Sequence, residues 1–201
     1  MNKKNILVGI LSLLFITLVI LIKTNTIVSF DNFIYSIVTN KMSELLTSIY
    51  KVFTFLGSTA FIVGLCVFFF VLFILLKKNN IGYIITGCLI ISTIVNNIIK
   101  IIIRRPRPEV LRLVIEKSFS FPSGHTMASV SMYGILLYLI IKSNLNKKLK
   151  WLLGIILSIL PLLVGISRIY LGAHFASDIL GGAIVSIILL LIETSLIAKY
   201  K

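Results

Sequence analysis

The chain reads as an all-α polytopic membrane protein: six transmembrane helices with an amphipathic interfacial segment between the first two. Three observations lead there. Of the 201 residues, 58% are hydrophobic and only 13% charged, against about 45–50% and about 25% in an ordinary soluble domain. The apolar residues fall into runs long enough to cross hydrocarbon, which takes about 20 residues. The charges gather in the gaps between those runs. In lipid such runs must be helical, because an open strand would leave its backbone groups unpaired. A soluble globular domain and a disordered chain are both excluded.

The first span covers residues 6–22, which carry no charge. Lys3 and Lys4 precede it as in a signal peptide. The run is longer than a typical signal h-region, and Ile22-Lys23-Thr24-Asn25 is no small-residue cleavage site, so the segment is expected to remain as an anchor. Residues 24–51 place Phe30, Phe33, Ile34, Ile37 and Val38, then Leu45, Leu46 and Ile49, at helical spacing. They read as one or two amphipathic helices in the interface, either a lid on the bundle or a lipid-entry surface. Residues 52–76 and 79–99 make the second and third spans. Most of 118–141, where His125 is the one group that can carry charge near neutral pH, makes the fourth, and 151–167 the fifth. The sixth runs from near 175 to 198, with Asp178 near its start and Glu193, expected at the cytoplasmic interface, near its end. No repeat, low-complexity tract or linker divides the chain, so residues 1–201 form one expected domain.

The formal net charge is +14, from 20 Lys and Arg against 6 Asp and Glu. Because the cations lie beside apolar runs, topology and anionic lipid explain them better than nucleic acid does. Six spans put both termini on one side. Lys and Arg then divide evenly, ten to a side, with Lys147 and Lys201 among those on the terminal side, whereas five of the six acids fall opposite the termini. The termini are therefore expected in the cytoplasm. Cys66 and Cys88 both lie inside apolar runs and read as buried thiols. The bilayer is the one partner the composition requires, and nothing in it sets an oligomeric state.

Ionisable groups at span ends are costly and call for a reason. Three clusters fall on one membrane side. They are Lys100 with Arg107-Pro108, then Pro122-Ser123-Gly124-His125, then Ser167-Arg168 with His174 and Asp178. Lys100, Arg107 and Arg168 supply cations, and guanidinium matches phosphate bidentately. Pro122, Ser123 and Gly124 open a long helix, whose free N–H groups favour an anion. His174 and Asp178 are four apart and would share a helix face, the carboxylate holding one imidazole nitrogen and freeing the other. His125 is a second imidazole, available as an acid. Together the parts suit phosphoryl transfer. Singly, Lys100 fits a snorkelling anchor, His125 an interhelical contact, and His174 with Asp178 a structural hydrogen bond. Their joint placement argues against coincidence. Arg104, Arg105 and Arg112 are expected at the surface or on lipid headgroups.

In this order the three clusters resemble the signature motifs of the type 2 phosphatidic acid phosphatase superfamily. The resemblance implies a six-helix membrane bundle that hydrolyses a lipid phosphate or diphosphate without metal. By motif position it implies His174 as the nucleophile that forms a phosphohistidine, Asp178 as its orienting partner and His125 as the acid. Lys100, Arg107, Ser123, Gly124 and Arg168 resemble the phosphate cradle, while Pro122 and Ser167 shape the backbone. Asp178 is the sole motif carboxylate, too few for a magnesium site, so no metal or other cofactor is expected. Undecaprenyl diphosphate is the first expected substrate, with phosphatidylglycerophosphate and phosphatidate as alternatives. Vanadium haloperoxidases share a similar constellation but are soluble. A non-catalytic transporter or lipid-binding protein would not need the paired histidines.

Overall fold

Residues 3–199 are described in the computed structural model, and among them the regular structure is eight α-helices with no strand. Lys201, with its share of the sidedness expectation, lies outside the described residues, as do the outermost ends of the domain expected over 1–201. The helices are α1 (Lys3–Lys23), α2 (Val28–Thr39), α3 (Glu44–Leu56), α4 (Thr59–Leu75), α5 (Asn79–Ile103), α6 (Gly124–Lys142), α7 (Lys147–Tyr170) and α8 (Ala176–Lys199).

Five of these, α1, α5, α6, α7 and α8, are each long and apolar enough to cross a membrane. A sixth crossing arises only if α3 and α4, bent by 45° at their junction, are taken as one span. The run at 52–76 thus differs from the uninterrupted span expected there. Gly57 ends α3, and the Ser58 hydroxyl accepts from Phe61 N at 3.3 Å to start α4, so a stop and a start lie inside one apolar run. The fourth span, expected over most of 118–141, begins at Gly124, because Ser123 is the N-cap and the preceding residues form an irregular loop.

α6 is the centre, in contact with α4, α5, α7 and α8; α1 lies along α8, α3 along α7, and α2 rests on α7 and α8. Ile62, Cys66, Ile85, Cys88, Met132 and Ile135 form the apolar seam of α4, α5 and α6, and both cysteines are buried free thiols. Lipid is as apolar as leucine, so close packing and interhelical hydrogen bonds must hold the helices together. Ser131 donates to Ser92 at 2.9 Å, and Ser186 to the Met127 carbonyl at 3.2 Å. Leu13, Leu75, Trp151 and Leu162 face outward. Glu193, near the end of α8, is buried beside Cys88.

The ends that matter meet at one end of the bundle. Lys23 Nζ donates to the Ile103 carbonyl at 2.9 Å, satisfying one of the acceptors that the last turn of α5 leaves open. The loop 104–123 then crosses to α6. It is pinned on the α7–α8 turn, where Leu113 N donates to the Leu171 carbonyl at 3.0 Å. Gly172 makes that turn possible. Its φ is +69°, and a Cβ there would lie 2.3 Å from the Leu111 carbonyl oxygen.

Candidate active site

His174 lies in the short turn before α8, and Asp178 in the first turn of α8. They do not share a continuous helix face as expected. The chain enters α8 only at Ala176, and the Asp178 carboxylate folds back toward the turn, where Oδ2 accepts from Phe175 N at 2.9 Å. The same Oδ2 accepts from the Ser120 hydroxyl and makes a long contact of 3.4 Å with His174 Nδ1. Ser120 Oγ is also 3.3 Å from Nδ1.

On the other side of the ring, Arg107 Nη1 lies 3.3 Å from His174 Nε2. A guanidinium can only donate. Nε2 must therefore accept, and the ring proton resides on Nδ1, facing the carboxylate. Burial, opposed by Asp178 and reinforced by Arg168 and Arg107, pushes the His174 imidazole down to about 4. The ring is neutral across ordinary pH, with its Nε2 lone pair on the cation side. Arg107 is anchored by bonds to the Ser118 carbonyl at 2.8 Å and the Ala173 carbonyl at 2.6 Å.

His174, Lys100 and Arg107 line a cavity of about 340 Å³, together with Glu116, Gly124 and His125. It continues along α4 and α5 past Ile62, Val63 and Leu89, so a polar floor opens onto a partly apolar wall. Lys100 Nζ donates to the Phe119 carbonyl. A Cβ on Gly124 would reach Asn96 Oδ1 at 3.4 Å, an ordinary contact. Neighbouring protein therefore does not demand glycine here, and the space in front of it belongs to the cavity.

Two expected cradle residues do not line this cavity. Ser123 is fully buried, and its hydroxyl accepts from Thr126 N at 3.4 Å and from Thr126 Oγ1 at 3.1 Å as the N-cap of α6. Arg168 is buried too, donating through Nη1 to Thr54 Oγ1 at 2.7 Å and through Nη2 to Glu116 Oε1. Its Nε has no hydrogen-bond partner among the described residues. A buried donor without a partner is costly.

The expectation for Arg105 is overturned. Arg104 and Arg112 are exposed as expected, but Arg105 is buried among Asp31, Ser177 and Asp178. The left-handed conformation of Arg104, with φ 51°, caps α5 and lets the next side chain turn inward. Sequence reasoning also missed Ser120, Glu116 and Asp31. A signal existed for Asp31: it interrupts the apolar pattern formed by Phe30, Phe33 and Ile34, where an unpaired acid would be expensive.

The imidazole of His174 stands between a carboxylate and an arginine at the wall of a cavity that also holds Lys100 and the start of α6, an arrangement suited to an anionic group. The chain belongs to the PAP2 superfamily, whose sequence profile matches residues 81–201. It is a membrane lipid phosphatase of that superfamily. It is 32% identical to phosphatidylglycerophosphatase B of Bacillus subtilis (strain 168) over 192 residues, 95% of each chain. It is 34% identical to the undecaprenyl-diphosphatase BcrC of the same organism over 110 residues, 52% of this chain and 51% of that one. Among solved structures, it resembles the PAP2-type phosphatidylglycerolphosphate phosphatase of Bacillus subtilis with TM-score 0.89 and 32% identity, covering 96% of this chain and 97% of that one. It resembles Aquifex aeolicus LpxE with TM-score 0.64 and 25% identity, covering 80% and 92% respectively.

Proposed function

We propose that this chain hydrolyses phosphatidylglycerophosphate, or a closely similar lipid phosphate, through a phosphohistidine on His174. The observation that carries the mechanism is the pairing of His174 Nε2 with a cation-lined cavity while Nδ1 faces Asp178. Nε2 attacks phosphorus in line with the bond to the lipid oxygen. That P–O bond breaks, and His125 delivers a proton to the departing oxygen. Water then attacks the phosphohistidine, with His125 taking its proton, and inorganic phosphate leaves. Lys100 and Arg107, which line the cavity, and the N–H groups opening α6 stabilise the equatorial oxygens, and Arg168 joins them when phosphate displaces Glu116 from it. Ser123 acts by holding those amides in place, and Gly124 by leaving room at them. No metal is assigned a step, because the side-chain cations and amides serve the phosphate.

The choice of headgroup rests on the whole-chain similarity to a protein named phosphatidylglycerophosphatase B. Undecaprenyl diphosphate, the first expectation from sequence, remains the second reading, supported by the half-chain similarity to a protein named undecaprenyl-diphosphatase. The topology that accompanies this reading has six crossings, with α3 and α4 as one bent span and α2 in the interface. Residues 1–201 make one domain, the termini are cytoplasmic and the site faces away from the cytoplasm. The test is phosphate release by purified protein from phosphatidylglycerophosphate, undecaprenyl diphosphate and phosphatidate, with EDTA in excess. Release from the first should be fastest and survive chelation, and quenched turnover should yield acid-labile, base-stable phosphoprotein. Magnesium-dependent release without a phosphoprotein would overturn the mechanism.

A further inference from the structure

We propose that Arg105 and Asp31 are positioning residues for the nucleophile, an inference that rests on His174 as the attacking group. Arg105 Nη1 donates to Asp178 Oδ1 and to Ser177 Oγ, each at 2.7 Å. Its Nη2 donates to Asp31 Oδ2 at 2.7 Å. Asp31 in turn accepts from Ser177 N at 2.8 Å and from Ser177 Oγ at 2.7 Å. The guanidinium lies 4.0 Å over the Phe175 ring. Both carboxylates are fully enclosed, and the Arg105 side chain is 9% exposed.

This chain divides the labour of the Asp178 carboxylate. Oδ1 is held by Arg105, and Oδ2 serves Ser120, Phe175 N and His174 Nδ1. Fixing one oxygen fixes the rotation that aims the other at the imidazole. Arg105 also acts through its backbone: its carbonyl accepts from Ser120 N at 2.9 Å, seating the serine that touches both members of the pair. The far anchor, Asp31, is on α2. The amphipathic segment, a lid or a lipid-entry surface by its sequence, is therefore tied to the nucleophile's support through buried Arg105 and through Ser177.

A lysine at 105 keeps the charge but cannot span both carboxylates with a planar fork. Arg105→Lys should lower kcat ~100-fold, the scale at which misplacement by an ångström is felt, with KM little changed. Asp31→Asn should lower kcat less, again with little change in KM, and Asp31→Glu should recover part of the loss. A second readout does not depend on turnover. The chain has two histidines, so in a His125→Gln background the 15N spectrum reports His174 alone. Arg107 at Nε2 keeps the proton on Nδ1 in every variant, so the readout is the contact of Nδ1–H with Asp178. The Nδ1–H proton should give one slowly exchanging resonance in that background, and should shift and exchange faster once Arg105→Lys is added. If Arg105→Lys fails to fold, Asp31→Asn decides on the same two measurements. Unchanged kcat with an unchanged Nδ1–H resonance would overturn the proposal. A wild-type protein that releases no phosphate from any lipid phosphate would sink the phosphatase reading instead. The Nδ1–H comparison would still decide whether Arg105 orients the ring.

Discussion

Arg168 is ion-paired with Glu116 at the cavity wall, and the carboxylate rather than the guanidinium lines the cavity. The pair joins the end of α7 to the loop 104–123. A phosphate that uses Arg168 must compete with Glu116, and the unpartnered Nε is the donor the carboxylate leaves unused.

Glu116→Gln should therefore loosen the apo protein and strengthen anion binding. The Glu116 side chain is 29% exposed, so solvent screens the pair and the stability loss should be about 1 kcal/mol. Orthovanadate should raise the melting temperature of the variant more than that of the wild type, and KM for the lipid should fall several-fold. An equal vanadate shift in both proteins would leave Glu116 as a structural partner only.

How far this site was readable depended on whether a residue's cost was local. Lys100, His125, His174 and Asp178 announced themselves because ionisable groups beside apolar runs need a reason wherever the chain goes next. Arg105 did not, because Arg104, Arg105 and Arg107 stand almost side by side. Which one turns inward is decided by the left-handed residue that ends α5, a conformation the composition does not specify. The partner of Arg105 is 74 residues away on α2, a distance no periodicity spans. The break between α3 and α4 was legible in principle, since Gly57-Ser58 is a stop followed by a cap. The continuous apolar run around it concealed the bend, because length and hydropathy alone do not register helix ends.

His174→Ala should abolish lipid phosphate release while leaving the bundle folded, because the ring fills a turn and its removal leaves the helices intact. Asp178→Asn should keep the shape but weaken ring orientation and the stabilisation of positive charge on it. A fall in kcat of ~10³-fold or more is expected from the size of such effects on an oriented imidazole. Phosphate-release assays on both variants, with melting curves as the folding control, check the pair. Normal turnover by His174→Ala would remove it as nucleophile.

Sidedness can be read in intact cells. Both native cysteines are buried, so single introduced cysteines report with little background. Glu109→Cys, in the exposed part of the loop beside the site, should react with a membrane-impermeant maleimide. Asn144→Cys, exposed between α6 and α7 at the opposite end, should react only after lysis. The reverse pattern would place the site in the cytoplasm.

The pH profile separates the two histidines. His174 must be neutral to attack, and burial holds its imidazole down to about 4, well below the ordinary value of about 6.5. In the free enzyme the nucleophile is therefore intact above that value and is lost as pH falls through it. His125 must carry a proton to donate, so kcat/KM should fall again at higher pH and the profile should be bell-shaped. The two limbs belong to the coupled pair until variants separate them. Asp178 opposes the depression of His174, so removing its charge in Asp178→Asn should move the acid limb lower still, at reduced height. Measuring log kcat/KM from pH 3.5 to 10 for wild type and variant on one substrate removes the substrate's own ionisation from the difference. An acid limb that stays fixed in the variant would assign it to the phosphate rather than to His174. A basic limb that survives His125→Gln would assign the proton delivered to the leaving oxygen to another donor.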